Sequence, residues 1–196
     1  MASGRTKKKR QRIAIVLVLV AAVAATTAAI TLQFTRLPKR FAVVDSGILY
    51  RSAQPSTRQI ENLVEDHGIK TIMIVREGTS DRVPDEIEFA RSIGLNVVHV
   101  PIASRKSIPD EHVDQFYKCL DDPANRPVLI HCSAGRHRTG YLCALYRIER
   151  QGWTIERAID ELKSFRFDEN DHVAVLKQLE NYEPRTSAGG PAGLQP

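Results

Sequence analysis

Cysteine is scarce: Cys119, Cys132 and Cys143 are the only three in 196 residues, and no two of them form a CxxC pair. That spacing excludes a disulfide scaffold and argues against a structural zinc ion. Acidic residues are missing altogether from residues 1–40, which hold nine lysines and arginines. From Phe41 onward, 19 basic residues meet 23 acidic ones, a net −4, although the whole chain stands at +5. The basic character therefore belongs to the N-terminal segment, and nucleic acid is not expected as a partner. No GxxxxGK[ST] run appears, which removes the phosphate loop of nucleotide hydrolases. No internal repeat appears either, and the length suits one well-buried domain with extensions.

Charge is absent again from Ile13 to Phe34 (IAIVLVLVAAVAATTAAITLQF). At about 1.5 Å per residue this run matches roughly the 30 Å of a bilayer's hydrocarbon core, so a single transmembrane helix or signal anchor is expected over 13–34, after a basic tail over 1–12. A cleaved signal peptide is the alternative, with small residues near Ala25 and Ala29 offering the cleavage site. Six basic residues precede the run and Arg36, Lys39 and Arg40 follow it. The positive-inside bias then expects the N-terminus in the cytoplasm, the following domain across the membrane, and the membrane itself as a partner.

Residues 41–184 alternate strand-like and helix-like segments. Phe41–Val44 and Ile48–Arg51 flank an Asp45-Ser46-Gly47 turn and read as a hairpin. Thr71–Val75, Asn96–Val100 and Pro127–His131 read as buried strands. Helices are expected over Gln59–His67, Pro84–Ile93, Pro109–Leu120, Thr139–Gln151, Thr154–Phe165 and Asp171–Tyr182. The expected fold is α/β, a mostly parallel sheet of four to five strands flanked by helices and preceded by the transmembrane helix. Residues 185–196 have too little apolar content to pack and read as a flexible tail.

The most informative stretch is His131-Cys132-Ser133-Ala134-Gly135-Arg136-His137-Arg138-Thr139-Gly140, between a buried strand and a helix. Cys132 is thereby expected at the carboxyl end of a sheet strand, where open α/β sheets bind ligands. Main-chain N–H groups of Ser133, Ala134, Gly135, Arg136 and His137 at a helix N-terminus would cradle a tetrahedral oxyanion, and Arg138 would add a two-pronged guanidinium. The same positive cradle would lower the Cys132 thiol pKa and make it a nucleophile. Thr139 could give its hydroxyl to the sulfur, or simply start a helix.

HCSAGRHRTG resembles the HCxxGxxR(S/T)G signature of the cysteine-dependent protein tyrosine and dual-specificity phosphatases. The likeness runs from about Ile48 to Phe165. LYRSAQPS, GIKTIMIVRE and IPDEHVDQFYKCLDDPANRPVLIHC are similar to the atypical dual-specificity phosphatases of plants and fungi and their bacterial relatives, whose loop often reads KHRTG. The resemblance implies a phosphotyrosine phosphatase-like fold, Cys132 as nucleophile, Arg138 as phosphate clamp, His131 as buried support, and no cofactor or metal.

Ordinary dual-specificity enzymes carry an acid about thirty residues before the cysteine. This chain has Pro101-Ile102-Ala103-Ser104 there, so the usual aspartate is missing. Asp110, in Ile108-Pro109-Asp110, is the nearest substitute, although an acidic residue also suits an ordinary helix start. Glu111, Asp114 and Glu77 are weaker candidates. His137 either touches phosphate or faces solvent. Arg51, Arg105, Lys106 and Arg136 form a basic rim for a polyanion or are scattered solvated charges. Cys119 and Cys143 read as small core residues, and Trp153 as packing at a helix junction.

The expected function is hydrolysis of phosphotyrosine, with dual specificity open, through a cysteinyl-phosphate. An inositol phosphate or pyrophosphate is the alternative substrate. Rhodanese-like sulfur transfer is disfavoured by the HC start and RTG ending of the loop. A phosphate-recognition module without turnover is kept open by the missing aspartate.

Overall fold

The computed structural model describes residues 15–27, 36–78 and 82–185. The chain divides into two units, Met1–Leu37 and Pro38–Pro196.

In the first unit, the transmembrane helix expected over 13–34 is not borne out. Among the described residues no helix is long and apolar enough to cross a membrane. The residues described there, 15–27, are helical throughout and are called α1. Residues 13–14 and 28–34 of the expected span lie outside the described residues, as do the basic tail over 1–12 and all of the C-terminal tail beyond Arg185. Within α1, Thr26 and Thr27 turn their hydroxyls back onto the carbonyls of Ala22, Val23 and Ala24, a bond that weakens a helix slightly. The membrane anchor, the membrane as a partner and the placement of the domain across a bilayer are withdrawn with the span.

The second unit is built on a five-stranded sheet of order β1-β2-β5-β3-β4. Its strands are β1 (Ala42–Asp45), β2 (Leu49–Ala53), β3 (Thr71–Ile74), β4 (Asn96–His99) and β5 (Val128–Cys132). β1 pairs antiparallel with β2 at one edge, whereas β2, β5, β3 and β4 run parallel, so the sheet is mixed. β2 outruns its expected end at Arg51 because it pairs with β5 as far as Ala53 opposite Cys132.

Seven helices of this chain are described with their own bounds as α1 above, then α2 (Thr57–His67), α3 (Arg82–Ser92), α4 (Asp110–Asp121), α5 (Arg138–Gln151), α6 (Ile155–Ser164) and α7 (Val173–Glu180). α2 starts two residues before its expected first residue. Ser56 accepts the Gln59 N–H, and the Gln59 side chain returns to the Ser56 N–H, so a capping box secures the two extra residues. A short 3-10 turn, Pro123–Asn125, carries the chain from α4 into β5.

Side chains of β3 alternate between two cores, as a period of two requires. Ile72 and Ile74 pack with Ile60, Val83 and Ala90 of α2 and α3. Met73, with Ile130 of β5, packs with Val113, Phe116, Leu142 and Leu145 of α4 and α5. Every residue of β5 is buried. A strand covered on both faces leaves only its carboxyl end open to a ligand, and that end is Cys132. Trp153 sits at the α5–α6 junction, between the guanidinium groups of Arg147 and Arg157.

Candidate functional site

Cys132 closes β5, flanked by β2 and β3, and the chain then turns through residues 133–137 into α5. The turn depends on Gly135, whose φ of 67° is left-handed and costs a residue with a Cβ about 1–2 kcal/mol. Three carbonyls of the loop are tied outward. Ser133 O accepts the Gln54 N–H at 3.2 Å, Ala134 O accepts Arg40 Nη1 at 2.9 Å, and Gly135 O accepts Arg51 Nη2 at 2.8 Å. In a trans peptide the C=O and the following N–H point in opposite directions, so fixing these oxygens outward turns the N–H groups of Ala134, Gly135 and Arg136 inward. The Gly135 N–H donates to Cys132 Sγ at 3.2 Å.

Cys132 is only 2 % exposed. Burial is the largest influence on its thiol and opposes ionisation, but the Thr139 hydroxyl and N–H, the Arg138 charge and the Gly135 N–H outweigh it together and hold the thiol below its ordinary value. The Thr139 hydroxyl is itself buried and has no other hydrogen-bond partner, which leaves its proton for the sulfur. Thr139→Val is therefore expected to raise the Cys132 pKa, because the donor it removes stabilises only the thiolate. At neutral pH, alkylation by iodoacetamide should slow by about tenfold, the scale of a hydrogen bond to a charged group, and recover as pH rises. An unchanged pH profile of alkylation would contradict this role.

Arg138 opens α5 and is half-buried, its Nη1 donating to Ile102 O at 2.9 Å in the loop after β4. His131 is fully buried behind the nucleophile. Its Nε2 lies 2.6 Å from Oε1 of the buried Glu86, and its Nδ1 is 3.2 Å from Cys132 O. Glu86 in turn accepts from Gln54, and Gln54 from Arg76. The His137 ring is turned to the 165–172 segment instead of the hollow: it accepts the Asp168 N–H at 3.2 Å and stacks on His172 with centroids 3.3 Å apart. Burial first, then the His172 and Arg136 charges, push its pKa down to about 4, so the ring is neutral at ordinary pH. Ser133 is exposed, while Ala134 and Arg136 are half-buried on the loop's outer side.

The remaining candidates lie in different places. Asp110 is exposed in the first turn of α4, and its charge pushes up the Tyr141 hydroxyl, second to burial. Among the described residues no hydrogen bond or ion pair joins Asp110 to the 132–138 segment. Asp114 pairs with Arg185 at 2.6 Å, and Glu111 lies 3.8 Å from His112. Glu77 is exposed. Arg105 pairs with Asp171 at 2.7 Å and Lys106 is exposed. Arg51 is not a rim residue: it is 1 % exposed beneath the loop, with Phe165 stacked 3.7 Å from its guanidinium. Cys119 and Cys143 are buried, and burial pushes both thiols up to about 11. Among the described residues no group of three or more His, Cys, Asp or Glu could hold a metal ion.

Sequence reasoning missed Glu86 and Arg40. Glu86 had a signal, since it shares one helical face with Val83 and Ala90. Arg40 had none, because it meets the loop only through the fold.

A mixed sheet whose central strand ends on a buried, acidified cysteine, followed by a tight glycine-bearing turn and a helix, defines the class of cysteine-dependent phosphatases. Residues 37–188 match the model of the tyrosine phosphatase family, and the chain belongs to that family. Within it the chain falls with the atypical dual-specificity phosphatases of plants and fungi and their bacterial relatives. An inositol diphosphatase of Arabidopsis thaliana is 35% identical over 132 residues, 65% of this chain and 64% of that protein. The inositol diphosphatase SIW14 of Saccharomyces cerevisiae is 30% identical over 135 residues, 66% of this chain and 46% of that protein. The chain thus spans less than two thirds of the length of these two relatives. The solved core catalytic domain of the S. cerevisiae PP-IP phosphatase superposes with a TM-score of 0.66 at 27% identity, covering 75% of this chain and 87% of that one. The structure of Pseudomonas aeruginosa TpbA gives 0.57 at 27% identity, over 69% and 81%.

Proposed function

We propose that this protein hydrolyses phosphate esters through a phosphorylated Cys132. The observation that carries the reading is the Cys132 sulfur, accepting the Gly135 N–H at 3.2 Å inside a turn whose carbonyls are tied away from it. The thiolate attacks phosphorus, the P–S bond forms as the P–O bond to the leaving group breaks, and the leaving oxygen takes a proton. Water then attacks phosphorus, the P–S bond breaks, and inorganic phosphate and the thiolate are released. Loop N–H groups and Arg138 balance the charge on the equatorial oxygens in both steps. Thr139 makes the sulfur a better leaving group in the second. Asp110 is assigned as the proton donor, and His131, braced by Glu86, as the support of the cysteine.

Phosphotyrosine in a protein is the proposed substrate, since an aryl oxide leaves readily and leans little on an acid as exposed as Asp110. A diphosphate borne on an inositol is the second reading, favoured by the names of the relatives at 35% and 30% identity. The chain should hydrolyse 4-nitrophenyl phosphate without added metal and turn over a phosphotyrosine peptide at least about tenfold faster than the matching phosphoserine peptide. Equal rates on the two peptides would overturn the assigned preference, and no turnover of the aryl phosphate would overturn the activity.

A further inference from the structure

The loop that leads from β4 to Asp110 is held at both ends by groups far along the chain. At its start, Arg138 Nη1 donates to Ile102 O at 2.9 Å. At its end, the Gln178 side chain of α7 makes two hydrogen bonds to one residue: its Oε1 accepts the Ile108 N–H at 2.8 Å, and its Nε2 donates to Ile108 O at 2.7 Å. Between these ties little is buried. Residues 104–107 are exposed, and so is the Arg105–Asp171 pair, where an ion pair adds about 0–1 kcal/mol.

The Gln178 bonds stand where a helix cap would. Pro109, the residue before α4, has no side-chain acceptor for the first N–H groups of the helix. The direction in which the chain enters α4 is set one residue earlier, at Ile108, which is 1 % exposed and whose N–H and C=O are both taken by Gln178. One hydrogen bond sets a distance, whereas a donor and an acceptor matched to the same residue also set the tilt of its peptide planes. The ring of Pro109 fixes its φ, here −59°, so the orientation given to the Ile108 carbonyl reaches the Cα of Asp110 through a single soft torsion.

The same part of the chain also meets the phosphate turn. His137 accepts the Asp168 N–H and stacks on His172, the residue just before α7. Residues 168–178 thereby grip both the turn and the loop that ends on Asp110. The Asp110 charge is felt at Tyr141, one turn along α5 from Arg138, which sets the carboxylate near the end of α5 that joins the turn.

We infer that Gln178 is a positioning residue for the reaction: by fixing Ile108 it aims the Asp110 carboxyl at the leaving oxygen. The inference rests on the assignment of Asp110 as the proton donor. Gln178→Met keeps the length of the side chain and removes both hydrogen bonds, and kcat/KM of the full chain on benzyl phosphate and on 4-nitrophenyl phosphate tests it, since kcat/KM covers the step in which the ester bond breaks. A benzyl oxide needs a proton to leave and a nitrophenolate hardly does, so the benzyl-to-nitrophenyl ratio reads the acid and is untouched by any loss of folded protein. Gln178→Met should lower that ratio by about tenfold, a part of the roughly 10²–10⁴-fold that a positioned acid contributes. Asp110→Asn should lower it at least as far, and Gln178→Met added to Asp110→Asn should lower it no further.

An unchanged ratio in Gln178→Met, or a further fall in the double variant, would overturn the positioning role and leave Asp110 as the donor. An unchanged ratio in Asp110→Asn would assign the proton to another group, and the inference would fall with that assignment. A parent chain that hydrolyses only the aryl ester has no acid for Gln178 to aim, which also overturns the inference; one that hydrolyses neither ester removes the catalytic reading as a whole.

Discussion

Cys132→Ser is expected to cut turnover of 4-nitrophenyl phosphate by about 10⁴-fold or more while leaving phosphate binding in place, because a serine hydroxyl of similar size cannot ionise at neutral pH. The cradle itself is unaffected. Its carbonyls are held by Gln54, Arg40 and Arg51, none of which touches the sulfur. The check is a pair of measurements on one protein sample, kcat on the aryl phosphate and calorimetric binding of inorganic phosphate. Residual turnover within tenfold of the parent would remove the nucleophile's role, on the scale of such deletions.

Gly135→Ala should have the second-largest effect, on both folding and activity. A Cβ at this position would stand 2.5 Å from Ser52 O and 2.6 Å from Ala53 N, both main-chain atoms of β2 that cannot step aside. The left-handed φ adds its own cost. Together, strain and overpacking amount to about 2–5 kcal/mol. The chain can escape the clash only by lifting the turn, which draws the Gly135 N–H away from Cys132 Sγ. The expected result is a lower unfolding midpoint in urea together with a fall of about 10² or more in kcat/KM. Gly68, which also has a positive φ but open space around it, is the control: Gly68→Ala should lose a little stability and keep its kcat. Full activity in Gly135→Ala would mean that the turn's geometry is not what the chemistry needs.

Much of the second unit was legible because its signals are local. The apolar runs around Ile72 and Leu129 mark doubly covered strands, and the Cys132–Gly140 run marks the loop between a buried strand and a helix. What escaped depends on partners far along the chain. Arg51 reads as a surface charge until β2 is seen to run under the loop, where its guanidinium meets a carbonyl 84 residues away. Glu86 shares the buried face of α3 with Val83 and Ala90, but its partner, His131, lies 45 residues further along the chain. Arg40 reads as linker, yet it holds Ala134 O.

The misjudged segment failed for a different reason. The run over 13–34 has both the residue count and the freedom from charge that a membrane span needs, but a span also needs continuous apolar helix. Among the described residues no helix is long and apolar enough to cross a membrane. For the general acid, the IPD run located a helix start correctly, since Asp110 does open α4. A helix start alone does not say which way its carboxylate turns, and that direction is a property of the loop before it.

The central claim is that the sulfur of Cys132 carries the phosphoryl group during turnover, and rapid acid quenching followed by peptide mass spectrometry tests it most directly. Mixed with excess 4-nitrophenyl phosphate and quenched within one turnover, the full chain should yield a single phosphorylated peptide, the one containing Cys132, and it should disappear once substrate is exhausted. Steady hydrolysis with the Cys132 peptide unmodified at every quench time, or with the phosphoryl group on another residue, would contradict the account.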